Sequence, residues 1–166
     1  MSGNKEVIKH LNVILKNELT AINQDFLHAR MLEHMGLHTL CSKVKEESID
    51  EMKHADILIQ RILFLDGLPN LQDLGKLMSG EDPKEMLEND LKLEDIALKD
   101  LREAYDIADA NKDYTSVSIL EDIIISEEQH QDWLRQQLSL INSIGLQNYL
   151  QNLSLIHISE PTRQDR

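Results

Sequence analysis

Aromatic side chains are scarce in this 166-residue sequence, at 4% with a single Trp. Six Gly and three Pro are too few turn residues for a chain built of many short strands. The only cysteine, Cys41, has no partner for an internal disulfide, which fits a reducing compartment, and the expected location is the cytoplasm. No apolar run reaches the ~18 residues of a membrane span. Met1 to Glu6 lacks the apolar segment of a secretory signal. Positive charge is the other shortage. Asp and Glu total 30 against 17 Lys and Arg, for a net charge of −13. Nucleic acid would be repelled, because its binding rests on Lys and Arg neutralising phosphates.

What remains is Leu and Ile spaced by long charged residues, the composition of an all-α chain. One domain is expected at this length, large enough for a core without staples. Four long helical patterns follow one another. The first runs from about Asn4 to His34 and sets Val7, Leu11, Ile14, Leu15, Ile22, Ala29 and Leu32 on one face; Gly36 is a plausible stop. The second covers about His38 to Leu65, with Val44, Leu58, Ile62 and Leu65 inward. Asp82, Pro83 and Glu85 form the start signal of the third, whose face holds Leu87, Leu91, Leu98, Leu101, Tyr105 and Ala108. Asp113 caps the fourth, which carries Leu120, Ile123, Ile124, Leu134, Leu138 and Ile141, and Ser143 to Leu150 allows a short fifth. Short turns near Gly36 and Asn111 make antiparallel neighbours. The stretch from Asp66 to Glu81 is too long for a simple turn and is expected to cross along the bundle, leaving helices two and three parallel.

The domain is expected to span residues 1–152. From Leu153 to Arg163 the sequence reads LSLIHISEPTR, which resembles the in-frame translation of an adapter used to prepare DNA sequencing libraries. Residues 153–166 are therefore set apart as a foreign tail and excluded from the fold reading.

Polar residues interrupt the apolar faces at matched places. Glu18 falls between Leu15 and Ile22, and Glu94 between Leu91 and Leu98. Glu51 and His54 lie between Val44 and Leu58, and Glu127 and His130 between Ile123 and Leu134. A lone buried carboxylate is costly unless paired or bound to metal. The spacing repeats: 33 residues separate Glu18 from Glu51, and 33 separate Glu94 from Glu127, each second Glu being followed three positions later by His. Chance alone supplies roughly 0.6 Glu-x-x-His pairs at this composition, so the matched offset and the apolar setting carry the signal. Residues i and i+3 share a helix face. Two such hairpins packed about a pseudo-twofold axis would join four Glu and two His, a donor set suited to two iron or manganese ions.

On these residues the chain resembles the bacterioferritin family over essentially all of residues 1–152. The segments NELTAINQ (17–24), EMKHAD (51–56) and LPNLQDLG (68–75) carry the resemblance beyond the ligand pattern. It implies a ferritin-like four-helix bundle with a long crossover between helices two and three and a short fifth helix. It implies that Glu18, Glu51, His54, Glu94, Glu127 and His130 are di-iron ferroxidase ligands, Glu51 and Glu127 bridging the metals and each His completing one. It implies that Met52 from each of two subunits ligates one shared haem b, with Leu19, Ile22, Asn23, Phe26, Ile49 and Lys53 around it. Met52 is one step of about 100° from Glu51, so it need not face the bundle centre. The implied function is iron storage. Fe(II) is oxidised by oxygen or peroxide and kept as Fe(III) mineral in a 24-subunit shell built from dimers, with a small ferredoxin as reductant for release.

Two positions depart from the pattern. Asp25 stands where many relatives carry tyrosine; it is seven residues from Glu18 and so near the same face, where it would bind or relay metal or be solvated. Glu46 stands where some relatives place a His. With Glu47 and Asp50 it forms either an accessory iron site or a solvated acidic turn. His10, His28, His34 and His38 lack partners at ligand spacing and read as surface or interface residues. Trp133 and Tyr149 read as packing residues. Two rival functions are another di-iron oxidase or peroxidase without mineral, and a cage or interaction protein whose site is idle.

Overall fold

The structure, a computed structural model, describes residues 3–158. It contains α1 (Lys5–His34), α2 (His38–Phe64), α3 (Pro83–Ala110), α4 (Tyr114–Ile144) and α5 (Leu146–Ile158), and no strand among the described residues. Local chemistry sets most of the ends. Asn4 Oδ1 accepts from the backbone N–H of Glu6 and Val7 and opens α1. Gly36, at φ 80°, takes the left-handed conformation that turns the chain out of α1. Asp82 Oδ1 accepts from Glu85 N–H at 2.9 Å, and Pro83 occupies the first turn of α3. Glu85 Oε1 accepts from the N–H of Glu81, one residue before the cap. Asp113 caps α4 through Ser116 N–H and also binds the Arg61 guanidinium at 2.6 Å, tying the α3–α4 turn to the end of α2.

α1 packs along α2, α3 along α4, and the two pairs meet α1 against α3. The crossover between α2 and α3 is fixed by one stripe of α1. Asn12 holds Leu68 and Asn70, and Lys16 lies 3.6 Å from Asp73. Thr20 Oγ1 accepts from Gly75 N–H, Gln24 Oε1 from Met78 N–H, and His28 Nε2 from Gly80 N–H. These α1 residues are spaced by four, hence one above another on one face. The crossover thus runs back along α1 from its first turns to its last, and α3 starts beside the start of α2. Helices two and three are parallel, as the loop length implied.

Two apolar clusters fill the bundle. One gathers Val7, Leu11, Ile14, Leu15, Leu58, Ile62, Leu98, Leu101, Leu120 and Ile123; the other Leu32, Leu40, Val44, Met86, Leu87, Leu134, Ile141 and Tyr149. Each fully buried Leu or Ile contributes about 1.5–3 kcal/mol. Between them every long helix buries charged residues: Glu18, Asp25 and His28 on α1, Glu47 and Glu51 on α2, Asp90 and Glu94 on α3, Glu127 and His130 on α4. The apolar ends supply the stability that permits this polar belt.

The last helix differs from its expected span. Gly145, at φ 83°, closes α4, and α5 begins at Leu146 and continues to Ile158 rather than stopping near Leu150. Leu146, Tyr149, Leu150 and Leu153 keep an apolar face at helical spacing and join the second cluster, so the helix passes position 152 without a break. Within the 153–166 segment set apart in the sequence, residues 159–166 lie outside the described residues.

Candidate metal centre

The two Glu … Glu-x-x-His units meet in the polar belt. Glu18, Glu51, Glu94 and Glu127 are each no more than 4% exposed; His130 is 6% exposed, and the His54 side chain 13%. They sort into two trios, Glu18–His54–Glu127 and Glu51–Glu94–His130, each with ligand atoms within 4.8 Å of one another. Each trio takes members from both hairpins. His54 Nδ1 lies 3.5 Å from Glu18 Oε2 and 3.3 Å from Glu127 Oε1. His130 Nδ1 lies 2.8 Å from Glu94 Oε1. Glu18 Oε2, Glu51 Oε1, Glu94 Oε2 and His54 Nδ1 are buried without a hydrogen-bond partner. Unsatisfied atoms in a dry core are costly, and here they converge.

Electrostatics agree with a site that awaits cations. Burial, then the Glu127 charge, pushes the Glu18 carboxyl up to about 8. Burial and neighbouring carboxyls hold Glu51 and Glu94 well above the usual carboxylate range. Glu127 goes the other way. Burial pushes it up, but the adjoining Glu94 and His54 side chains and the His130 and His54 charges outweigh that and hold it at about 2. His54, which burial alone would lower, is lifted to about 10 by the Glu127 and Glu18 carboxylates.

The surroundings of the two trios differ. On the His54 side a cavity of about 330 Å³ opens between α2 and α4, lined by Asp50, Lys53, Ile57, Asp122 and Ser126 as well as His54. On the His130 side, Glu47 Oε2 lies 3.6 Å from His130 Nδ1 and Lys43 Nζ 3.0 Å from Glu47 Oε1. Lys43 also sits 5.1 Å from the Trp133 ring centre, and Trp133 stacks beside His130. Glu47 is buried and ion-paired, not part of a solvated turn, while Lys43 lies 3.8 Å from Glu46.

Asp25 is 2% exposed, so it is not solvated. His28 corrects the surface reading. It is fully buried, donating from Nδ1 to Asp90 Oδ1 at 3.0 Å while its Nε2 accepts from Gly80. Its partners are 52 and 62 residues away in sequence, which hides them from a spacing search; the polar i, i+4 series Asn12, Lys16, Thr20, Gln24, His28 was the available signal. His34 and His38 are exposed, as expected, and His10 Nδ1 lies 2.9 Å from Glu6 O in its own helix. Tyr149 packs in the second cluster, its hydroxyl 2.7 Å from Gln137 Oε1.

Met52 points away from the centre and is 47% exposed. With Phe26, Ala29, Arg30, Lys45, Ser48 and Ile49 it lines a largely apolar pocket of about 190 Å³ on the α1–α2 surface. Leu19, Ile22, Asn23 and Lys53 are outside that pocket's lining.

Residues 8–144 match the family model described as a ferritin-like domain. The chain is 48% identical to a bacterioferritin of Rhodobacter capsulatus over 90% of its own length and 92% of that protein. It is 45% identical to a bacterioferritin of Streptomyces coelicolor, covering 90% of each, and 42% identical to one of Mycobacterium leprae, covering 90% and 94%.

Proposed function

The chain belongs to the bacterioferritin family of ferritin-like domain proteins, and from that premise we propose that it is an iron-storage ferroxidase. The observation that carries this reading is the convergence of four buried Glu and two His in two trios. Four carboxylates balance two Fe(II) ions in charge, which is why a dry, otherwise unstable cluster suits that substrate. Glu18 and His54 hold one Fe(II), Glu94 and His130 the other, and Glu51 and Glu127 reach between them. Each Fe(II) gives up one electron, and oxygen or peroxide takes the pair. Oxidation leaves two positive charges in excess, which favours transfer of Fe(III) out of the centre and into mineral. Asp50 and Asp122 beside His54 give the cation an acidic path on that side.

Self-association is supported by exposed apolar residues on α1, α2 and the crossover, including Phe26, Ile49, Phe64, Leu68 and Leu71. The proposed assembly is a shell of 24 subunits built from dimers and located in the cytoplasm. No described helix is long and apolar enough to cross a membrane. The exposed Met52 thioether in its apolar pocket fits one ligand of a haem b shared by two copies. Bound there, the haem supplies an electron-transfer group, and a small ferredoxin is its proposed reductant for iron release.

Aerobic Fe(II) titration of the purified assembly tests the function. The expected result is fast oxidation saturating at two irons per subunit, followed by slower mineral growth in a particle of shell size. Turnover of an organic substrate without mineral, or a metal-free dimer inert to Fe(II), would sink it in favour of the other di-iron enzymes or an idle interaction protein.

A further inference from the structure

We propose that the groove between α1, α3 and the crossover binds a single-chain amphiphile with a carboxylate head, one per subunit. The groove has a volume of about 700 Å³, inside the ~300–1,000 Å³ range of small-molecule sites. Its lining shares no residue with the two trios of the candidate metal centre.

The walls are preformed. The crossover is held to α1 at both ends of the groove. Asn12 binds Leu68 and Asn70 at one end, and Thr20 Oγ1 accepts from Gly75 N–H at 2.8 Å at the other. Gly75 lets the chain lie this close, because a Cβ there would stand 3.2 Å from Thr20 Oγ1. Between Lys9 and Thr20 the groove follows ~16 Å of α1 at the rise of an α-helix, room for an extended alkyl chain.

The floor selects the body of the ligand. Val13, Met78, Leu93 and Ile96 supply it, and the lining holds no aromatic ring. Ile96 is 48% exposed, so the α3 side of the floor is uncovered apolar surface. An aliphatic body covers such a floor, whereas a planar ring system finds no ring to stack on.

The rim selects the sign of the head. Lys9, Lys16 and Lys76 line this one groove, in a chain whose net charge is −13. The two carboxylates beside them are engaged. Asp73 lies 3.6 Å from Lys16 Nζ, and Asp100 Oδ2 accepts from Asn17 Nδ2 at 2.8 Å. Lys9 and Lys76, both exposed, have no ion pair among the described residues and are free to meet an anion. A carboxylate held at this rim keeps part of its hydration, which avoids the cost of burying a charge. The alkyl body then supplies most of the binding.

Equilibrium dialysis of the purified assembly against dodecanoate, kept below its micelle concentration, tests the site. The expected result is saturation at one per subunit. The double variant Lys9→Gln with Lys76→Gln is expected to bind about tenfold more weakly. Dodecyltrimethylammonium, with the same chain and the opposite charge, is expected not to compete. Ile96→Asp, at an exposed position, is expected to abolish saturation with helix content unchanged. In crystals soaked with ω-brominated dodecanoate, the bromine peak is expected within the groove. Uptake without saturation, equal affinity in either variant, competition by the cation, or a bromine peak only elsewhere, such as the pocket of Met52, would each overturn the proposal.

Discussion

The two trios of the candidate centre carry the same residue types and different neighbours. In the Glu18–His54–Glu127 half, the imidazole is looser: its contacts are 3.3 and 3.5 Å, Nδ1 has no hydrogen bond, and a cavity lined by Asp50 and Asp122 opens beside it. In the Glu51–Glu94–His130 half, the imidazole is hydrogen-bonded at 2.8 Å, flanked by Glu47 and Lys43, and stacked on Trp133. The repeated spacing therefore sets the same residue types in unlike surroundings. On the proposed reading, the His54 side passes ions and the His130 side holds one.

The largest effect comes from Glu127, which lies 3.3 Å from His54 and beside the Glu94 carboxyl, linking both halves. Glu127→Ala is expected to slow the fast phase of Fe(II) oxidation by ~10-fold or more, because a lost ligand costs at least what a lost supporting contact does. A retained fast phase in stopped-flow traces would remove Glu127 from the centre.

Substituting one imidazole at a time separates the halves. His54→Ala and His130→Ala are each expected to lower the high-affinity Zn(II) count from two to one per subunit in equilibrium dialysis. If the comparison holds, the remaining ion exchanges faster in His130→Ala, where only the open half is intact. Equal exchange rates would show that the surroundings do not matter.

A smaller effect concerns pH in the metal-free protein. Glu18, Glu51 and Glu94 have folded values above their unfolded ones, so the native state holds extra protons between about pH 5 and pH 8. Stability contributed by their protonated forms is present below the unfolded value and lost as pH rises through the folded value. His54, lifted to about 10, extends the same sign to higher pH, and Glu127, held at about 2, adds the opposite sign only below about pH 5. Thermal melts with chelator are expected to fall by several degrees between pH 5 and pH 8. Saturating Zn(II), which replaces those protons, should abolish the fall; a metal-independent slope would contradict this.

The smallest expected effect is at Lys43. Lys43→Met removes the charge that neutralises Glu47 beside His130. Cation affinity in that half is expected to rise a few-fold while the His54 half is unchanged, as read from two-site binding isotherms.

Much of this was legible in the sequence because the governing signals are local. Helix ends were marked by Asn4, Gly36, Asp82 and Asp113, whose partners are within a few residues. The six ligand candidates were marked by a spacing repeated within each hairpin. What escaped depends on distant partners. His28 looked like a surface residue because Gly80 and Asp90 come to it only when the crossover folds along α1. For Glu47 the sequence left an accessory iron site and a solvated turn both open, because Lys43 is one turn away but His130 on α4 comes to it only in the fold. The extent of α5 was misjudged because Gly145 ends α4 and the apolar spacing of Leu150 and Leu153 continues past the expected stop.

The most direct test of the centre is an anaerobic Fe(II) soak followed by anomalous diffraction at the iron edge. The expected map has two iron peaks between Glu51 and Glu127, one also bound by Glu18 and His54 and the other by Glu94 and His130. A single peak there, or iron held only by residues outside these six, would contradict the account.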